Sequence, residues 1–338
     1  MSGGWRLRSC VWEITLACCF RCRYCGSRGG QARGDELSTA ECLDVAEQLA
    51  ELGCRRVSLI GGEVFLRPDW AQIAGRLTAL GVRVALISNG YLFTPALLEQ
   101  LKDVGAESVA ISLDGPEDIH DAARQPGSWR RCMEAIRALV AAGIPCSVIS
   151  TLRQDSVPRL EDLYAQLEGS GIGAWQLQAC SPMGNAAAGV DWRVDGGAVI
   201  DFVERHLDKA PFMLGIADNL GYFTPGEGRL RGRDGAVFGG CRAGLSAIGI
   251  DSAGNVRGCE ALYDARFNEG NLRQRRLREI WEDESAFAYN RRFETSLLTG
   301  RCAQCDQGPY CAGGCRSYNH FVHGKLYEAP FCAREAKE

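Results

Sequence analysis

The sequence has no apolar run approaching the roughly 20 residues that a membrane-spanning helix requires. Its first ten residues, MSGGWRLRSC, hold no apolar signal core, so a cytoplasmic protein without a membrane partner is expected. A basic surplus is also missing. The 38 Lys and Arg residues stand against 42 Asp and Glu, a net charge of −4, which argues against a nucleic-acid partner. No segment repeats at a fixed period of about 20–50 residues. Histidine is scarce, and His120, His206, His320 and His323 show no metal-site spacing among themselves. What remains is ordinary for an enzyme: 46% hydrophobic and 24% charged in 338 residues, room for one large α/β domain and a smaller one.

Cysteine, by contrast, is abundant, with 17 residues. A secreted disulfide scaffold would be short and would carry a signal peptide. In a reducing compartment the readings are packed thiols or metal, and clustering favours metal because packed thiols have no reason to cluster. The stretch TLACCFRCRYCGS (15–27) has the spacing C-x3-C-x2-C at Cys18, Cys22 and Cys25, with Cys19 outside it. A structural zinc site normally needs four ligands. Three thiolates leave one position open, as a reacting ligand requires. A second concentration comprises Cys241, Cys259, Cys302, Cys305, Cys311, Cys315 and Cys332. For its central four-cysteine run a zinc ribbon is the competing reading.

Between residues 9 and 180, strand-like runs (SCVWEITL, RRVSLIGG, VRVALISNG, ESVAISLDG, PCSVISTL, AWQLQAC) alternate with amphipathic segments. Ser38 and Thr94 are candidate helix caps, and several helices should stop at glycine. Alternation predicts parallel pairing through crossovers. Six such units fit a partial (β/α) barrel, with a doubly wound open sheet as the competitor. The expected organisation is a core over 1–180, bridging loops and one helix over 181–240, and a small cysteine-rich domain over 241–338. The loop carrying Cys18, Cys22 and Cys25 follows the first strand, where such folds place their chemistry.

The three-cysteine loop resembles the signature of radical S-adenosylmethionine (SAM) enzymes, with Tyr24 in the usual aromatic position. The resemblance implies that Cys18, Cys22 and Cys25 hold a [4Fe-4S] cluster whose fourth iron is chelated by SAM. LIGGEVFLRP looks like the family's GGE motif, implying that Gly61, Gly62 and Glu63 bind the SAM amino group. ISNG is similar to the ribose-contacting segment, giving Ser88 and Asn89. ISLDGPEDIHDAAR looks like the strand-four motif, with Ser112 and Arg124 as candidate contacts to the methionine carboxylate and Arg153 as a competitor.

The C-terminal spacing resembles the seven-cysteine SPASM extension, which binds two auxiliary [4Fe-4S] clusters. Its pattern implies Cys241, Cys259 and Cys315 at the first, and Cys302, Cys305, Cys311 and Cys332 at the second. One iron of the first is left without an assigned ligand. A partial (β/α)6 TIM-like barrel with a C-terminal SPASM domain, three clusters and SAM are therefore expected.

The implied chemistry is hydrogen abstraction by a 5′-deoxyadenosyl radical. A one-electron reductant such as flavodoxin or ferredoxin is an expected partner. Maturation of a ribosomally made peptide is the leading expectation; with strand one so near residue 1, a separate leader-recognition protein or none is expected. A small-molecule radical dehydrogenase or epimerase, for example on an amino sugar, is the alternative, with Cys180 as a possible hydrogen donor. Cys10, Cys19, Cys42, Cys54, Cys132 and Cys146 are expected to pack. Asp218, Asn219 and Tyr222 are possible substrate contacts.

Overall fold

A computed structural model describes residues 4–189, 191–224, 226–231 and 237–334. Its frame is one ten-stranded sheet in the order β10-β9-β8-β1-β2-β3-β4-β5-β6-β7. The strands are β1 (Ser9–Glu13), β2 (Arg56–Ile60), β3 (Arg83–Ser88), β4 (Ser108–Ser112), β5 (Cys146–Leu152), β6 (Ala174–Ala179), β7 (Met213–Ile216), β8 (Ala247–Ile250), β9 (Asn255–Arg257) and β10 (Gly270–Asn271). Neighbours from β1 to β7 pair in parallel, and β8 runs parallel to β1. β9 and β10 are antiparallel additions. Among the described residues neither β7 nor β10 has a second strand partner, so the barrel stays open.

The crossovers are α1 (Thr39–Glu51), α2 (Trp70–Ala79), α3 (Pro95–Asp103), α4 (Glu117–Ala123), α5 (Ser128–Ala141), α6 (Leu160–Leu167) and α7 (Gly196–His206). Ser38 starts α1 with a capping box shared with Glu41, and Thr94 caps α3 ahead of Pro95; both satisfy amides that the helix cannot. Gly53, Gly81, Gly105 and Gly143 follow helix ends at positive φ. Short helices α8 (Glu227–Leu230), α9 (Leu277–Glu282), α10 (Ala288–Arg291), α11 (Gly308–Cys311) and α12 (Arg316–His323) belong to the later chain.

Strand residues alternate between two environments, as a period of two requires. Trp12, Val57, Leu59, Val84, Leu86, Val109, Ile111, Val148 and Leu177 are buried against the helices in one continuous core. The opposite face of β5 and β6 carries Ser147, Thr151, Gln176 and Gln178, which stay partly accessible. Ile149 and Ala174 lie among these polar residues on the same face.

Two differences from the sequence reading extend the six-unit frame. The bridging segment contributes β7, and the cysteine-rich domain contributes β8 beside β1. The basic stretch NLRQRRLREIW turns its charges to α1: Arg273 pairs with Glu41 and Arg276 with Asp44. Leu277 N–H donates to Gln48 Oε1 at 2.6 Å, while Ile280 and Trp281 are buried.

Candidate active site and cluster-binding thiols

The cysteine loop leaves β1 and folds back on itself. Cys18 N–H donates to Gly30 O (2.9 Å), and Gly30 N–H donates to Leu16 O (2.8 Å). The Glu36 carboxylate accepts from Leu16 N–H at 2.6 Å and from the Thr15 hydroxyl. Asn185, in the loop after β6, closes the other side: its amide donates to Cys22 O and its backbone N–H to Cys25 O, both at 2.9 Å. Neither Glu36 nor Asn185 carried any signal in the sequence.

Cys18, Cys22 and Cys25 are free thiols, partly accessible. Phe20 N–H points at Cys18 Sγ (3.4 Å) and Gly29 N–H at Cys25 Sγ (3.2 Å), donors that favour anionic sulfur. Burial pushes the Cys22 thiol up to about 11, Arg124 opposes this, and Cys25 and Cys18 add to it. Among the described residues no three His, Cys, Asp or Glu side chains converge as a single-ion site demands. The donor set is soft sulfur, and three thiolates suit an iron–sulfur cluster. Cys19 lies beside Cys18 and receives Asn89 Nδ2 at 3.2 Å.

Gly61 and Gly62 end β2 against this loop. A Cβ on Gly61 would stand 2.7 Å from Thr15 O, and one on Gly62 would overlap the carbonyls of Leu16 and Ala17. Gly62 N–H and Glu63 N–H donate to Thr15 O (2.8 Å) and Ala17 O (2.7 Å). The glycines thus admit the chain's own cysteine loop. Glu63 turns inward, fully buried, and accepts from Ser88 Oγ (2.9 Å) and Asn89 N–H (2.7 Å). Burial pushes its carboxyl up to about 7, against those hydrogen bonds. Glu63, Ser88 and Asn89 therefore form one unit beside Cys18.

The β4 motif contains a residue that sequence reasoning quoted without singling out. Asp114 is fully buried and receives the Tyr24 hydroxyl, Arg124 Nε (2.6 Å), Arg124 Nη2 (3.3 Å) and Thr151 N–H (3.0 Å). Burial acts to raise its pKa, but Arg124 outweighs this and holds the carboxyl far below the usual range. The Tyr24 ring lies under two guanidiniums, Arg153 at 5.0 Å and Arg124 at 5.5 Å. Arg124 is thus committed to Asp114, whereas Arg153, 3% exposed, pairs with Asp155 at 3.1 Å and leaves Nη1 without a partner among the described residues. Arg153 also lines a cleft of roughly 330 Å³ with Arg23, Ala123, Gln154, Asp155 and Asp191. Ser112 ends β4 on the half-accessible face. Cys180 is buried with Tyr24, Ala123 and Ala186, against Cys22 and Trp192, and burial pushes its thiol up to about 12.

The later cysteines fall into two neighbourhoods. Cys259 is raised to about 12 by burial and then by Cys241; Cys315 is raised by burial, Cys241 and Cys259. Cys311 and Cys332 are raised by burial and then by thiols of the set Cys302, Cys305, Cys311 and Cys332. Ala329 N–H donates to Cys302 Sγ at 3.4 Å. Cys302, Cys311 and Cys332 pack with Tyr222, Phe238 and Leu298, a dry surround. These two thiol sets also suit clusters.

Comparison with known proteins agrees with this geometry. Residues 12–167 match the model of the radical SAM superfamily, and residues 241–306 match that of an iron–sulfur cluster-binding domain, SPASM. The mycofactocin maturase MftC of Mycobacterium ulcerans is 30% identical over 92% of this chain and 84% of its own. An AdoMet-dependent heme synthase of Oleidesulfovibrio alaskensis is 27% identical over 98% and 88%. Among solved structures, SuiB of Streptococcus suis bound to S-adenosylmethionine superposes with a TM-score of 0.75 over 96% of this chain and 76% of its own, at 17% identity. Two thiol groups at opposite ends of the sequence, one parallel sheet carrying both, and these matches have a single reading: the chain belongs to the radical SAM superfamily and is a radical SAM enzyme with a SPASM domain.

Proposed function

We propose that the chain is a maturase that removes a hydrogen atom from a ribosomally made peptide and leaves a crosslinked or otherwise oxidised product. The observation that carries this reading is the end-to-end similarity to MftC, named a maturase, at 30% identity over 92% of the chain. The half-accessible, mainly polar face of β5 and β6 is a suitable floor for a peptide backbone.

In this reading Cys18, Cys22 and Cys25 hold the first cluster. Cys241, Cys259 and Cys315 hold the second, and Cys302, Cys305, Cys311 and Cys332 the third. With SAM bound, the first cluster supplies a 5′-deoxyadenosyl radical. The chain's own residues orient and shield. Glu63 offers a buried carboxylate to the SAM ammonium, held by Ser88 and Asn89. Arg153 offers its unpaired Nη1 to the methionine carboxylate; Ser112 assists it, and Arg124 acts indirectly by fixing Asp114 and Tyr24. Asn185 keeps the cysteine loop closed against water.

A second reading, a small-molecule substrate, is favoured by the heme synthase relatives and by Cys180, whose thiol packs beside Tyr24 and Cys22. One experiment separates the two. Anaerobically reconstituted protein is reduced with SAM in heavy water, with candidate precursor peptides and small molecules, and products are read by mass spectrometry. The maturase reading expects 5′-deoxyadenosine and a peptide lighter by hydrogen, without solvent deuterium. A deuterated small-molecule product, lost on Cys180→Ala, sinks it in favour of the second.

A further inference from the structure

Arg316 opens α12 directly after Cys315, and its side chain is fully buried. Nη1 donates to Ala312 O (2.5 Å), Leu326 O (3.0 Å) and Gly314 O (3.4 Å). Nε and Nη2 have no hydrogen-bond partner, and among the described residues no Asp or Glu pairs with the guanidinium. A guanidinium keeps its charge, and a buried charge without a counter-charge is strongly destabilising. Its place in the first turn of a helix adds to the cost, because the helix dipole disfavours a cation there. An anion is the missing element.

The packing around Arg316 joins the two later thiol sets. Cys311 belongs to one set and Cys315 to the other, and Arg316 grips the carbonyls of Ala312 and Gly314 between them. Leu326, whose carbonyl also holds Nη1, lies in the apolar group that takes in Cys241 and Cys259. The rings of Tyr327 and Phe293 flank the guanidinium at 4.5 and 5.7 Å. Both belong to the group of Cys302, Cys311 and Cys332. Two hydrogen bonds cross the same junction. The Tyr327 hydroxyl donates to Tyr289 O (3.1 Å), and Tyr222 Oη accepts from Cys315 N–H (2.8 Å). Three or four thiolates leave an iron–sulfur core net anionic, and each electron taken up adds a negative charge. The cation therefore stands where two such anions meet.

We propose that Arg316 is the shared counter-ion of the two auxiliary clusters, stabilising the one-electron reduced form of each. The proposal rests on the reading that both later thiol sets hold clusters. Arg316 acts on their potentials and touches no substrate.

The test uses the full chain, anaerobically reconstituted. Iron is counted first and should be about 12 per chain. A wild-type count of about 8 or fewer means that an auxiliary cluster is absent, which overturns the cluster reading and the shared role together. With 12 present, redox titrations followed by EPR compare the wild type with Arg316→Met and Arg316→Lys. Arg316→Met keeps an apolar stem and loses the charge. It should disfavour reduction of both auxiliary clusters by about tenfold, a shift of ~59 mV to lower potential for one electron, and leave the N-terminal cluster unmoved. Arg316→Lys loses the fork of donors but keeps the charge, and should stay within about twofold of the wild type. Unchanged potentials in Arg316→Met overturn the proposal, as does a shift confined to one auxiliary cluster. If Arg316 were only a tie for the Ala312, Gly314 and Leu326 carbonyls, Arg316→Lys and Arg316→Met would lose iron alike. That result overturns the proposal as well, whereas iron lost from Arg316→Met and retained by Arg316→Lys at wild-type potentials supports it.

Discussion

Glu63 shows how one side chain can be held in readiness for a cation. Its carboxyl is fully buried and pushed up to about 7, because the desolvation of burial exceeds the help of Ser88 and Asn89. A raised carboxyl binds its proton more tightly in the folded than in the unfolded chain. Ionised Glu63 therefore costs the free protein stability as pH rises from about 4.5 to about 7, by something like 3 kcal/mol. An ammonium beside it offsets that cost. SAM affinity should accordingly fall as pH drops through about 7, since protonated Glu63 can no longer receive the ammonium. Glu63→Gln should weaken SAM binding by about 10- to 100-fold, the range for a hydrogen bond to a charged group, and should flatten the pH dependence. Calorimetric titration with SAM from pH 6 to 8 checks both, and urea unfolding should show the variant no less stable. A variant with wild-type affinity would remove Glu63 from the SAM site.

At the scale of the element, the junction of β2 with the cysteine loop is where packing and chemistry meet. Gly62→Ala puts a methyl group into the carbonyls of Leu16 and Ala17, and backbone on both sides has nowhere to move. The expected result is selective: about four of 12 irons lost, with the C-terminal thiol sets intact, read by iron assay and EPR. This contact also marks the limit of the sequence. GGE was legible as a motif, but its glycines were assigned to the approach of a ligand, because only coordinates reveal that the neighbour is the chain itself. Six strands and six helices were visible because their apolar periods run for five residues or more. β7 was not, since MLGI offers four residues among glycines and no alternation. α4 was hidden inside the strand-four motif, and its first turn has no side-chain cap. The concentration of thiols was legible from spacing, their division into sets only through the family resemblance. Asp114, Glu36 and Asn185, which hold the surrounding loops, were not, because most of their partners lie 20 or more residues away in sequence, the exceptions being Arg124 with Asp114 and Arg33 N–H with Glu36.

Across the whole molecule the sheet joins what the sequence divides. β8 lies against β1, so the C-terminal domain and the barrel share a ladder. A buried polar knot reinforces the seam. Arg33, from the cysteine loop, reaches Glu13 of β1 at 2.5 Å, Ser252 after β8, and Tyr263. Ser252 Oγ in turn donates to Glu36 at 3.1 Å, and Glu36 holds Leu16. Glu13 is 1% exposed, and burial raises its carboxyl against the pull of Arg33. Removing the cation alone strands that charge. Arg33→Met should therefore cost about 3–5 kcal/mol, the typical price of breaking a buried pair from one side. Arg33→Met with Glu13→Gln should recover most of the loss, because no uncompensated charge remains. Urea unfolding of the cluster-free chain measures the double-mutant cycle. Because one sheet spans the seam, each variant should unfold in one transition, with barrel and C-terminal probes coincident. Separate transitions, or a double variant as unstable as the sum of the singles, would mean that the two parts fold independently and that the knot does not couple them.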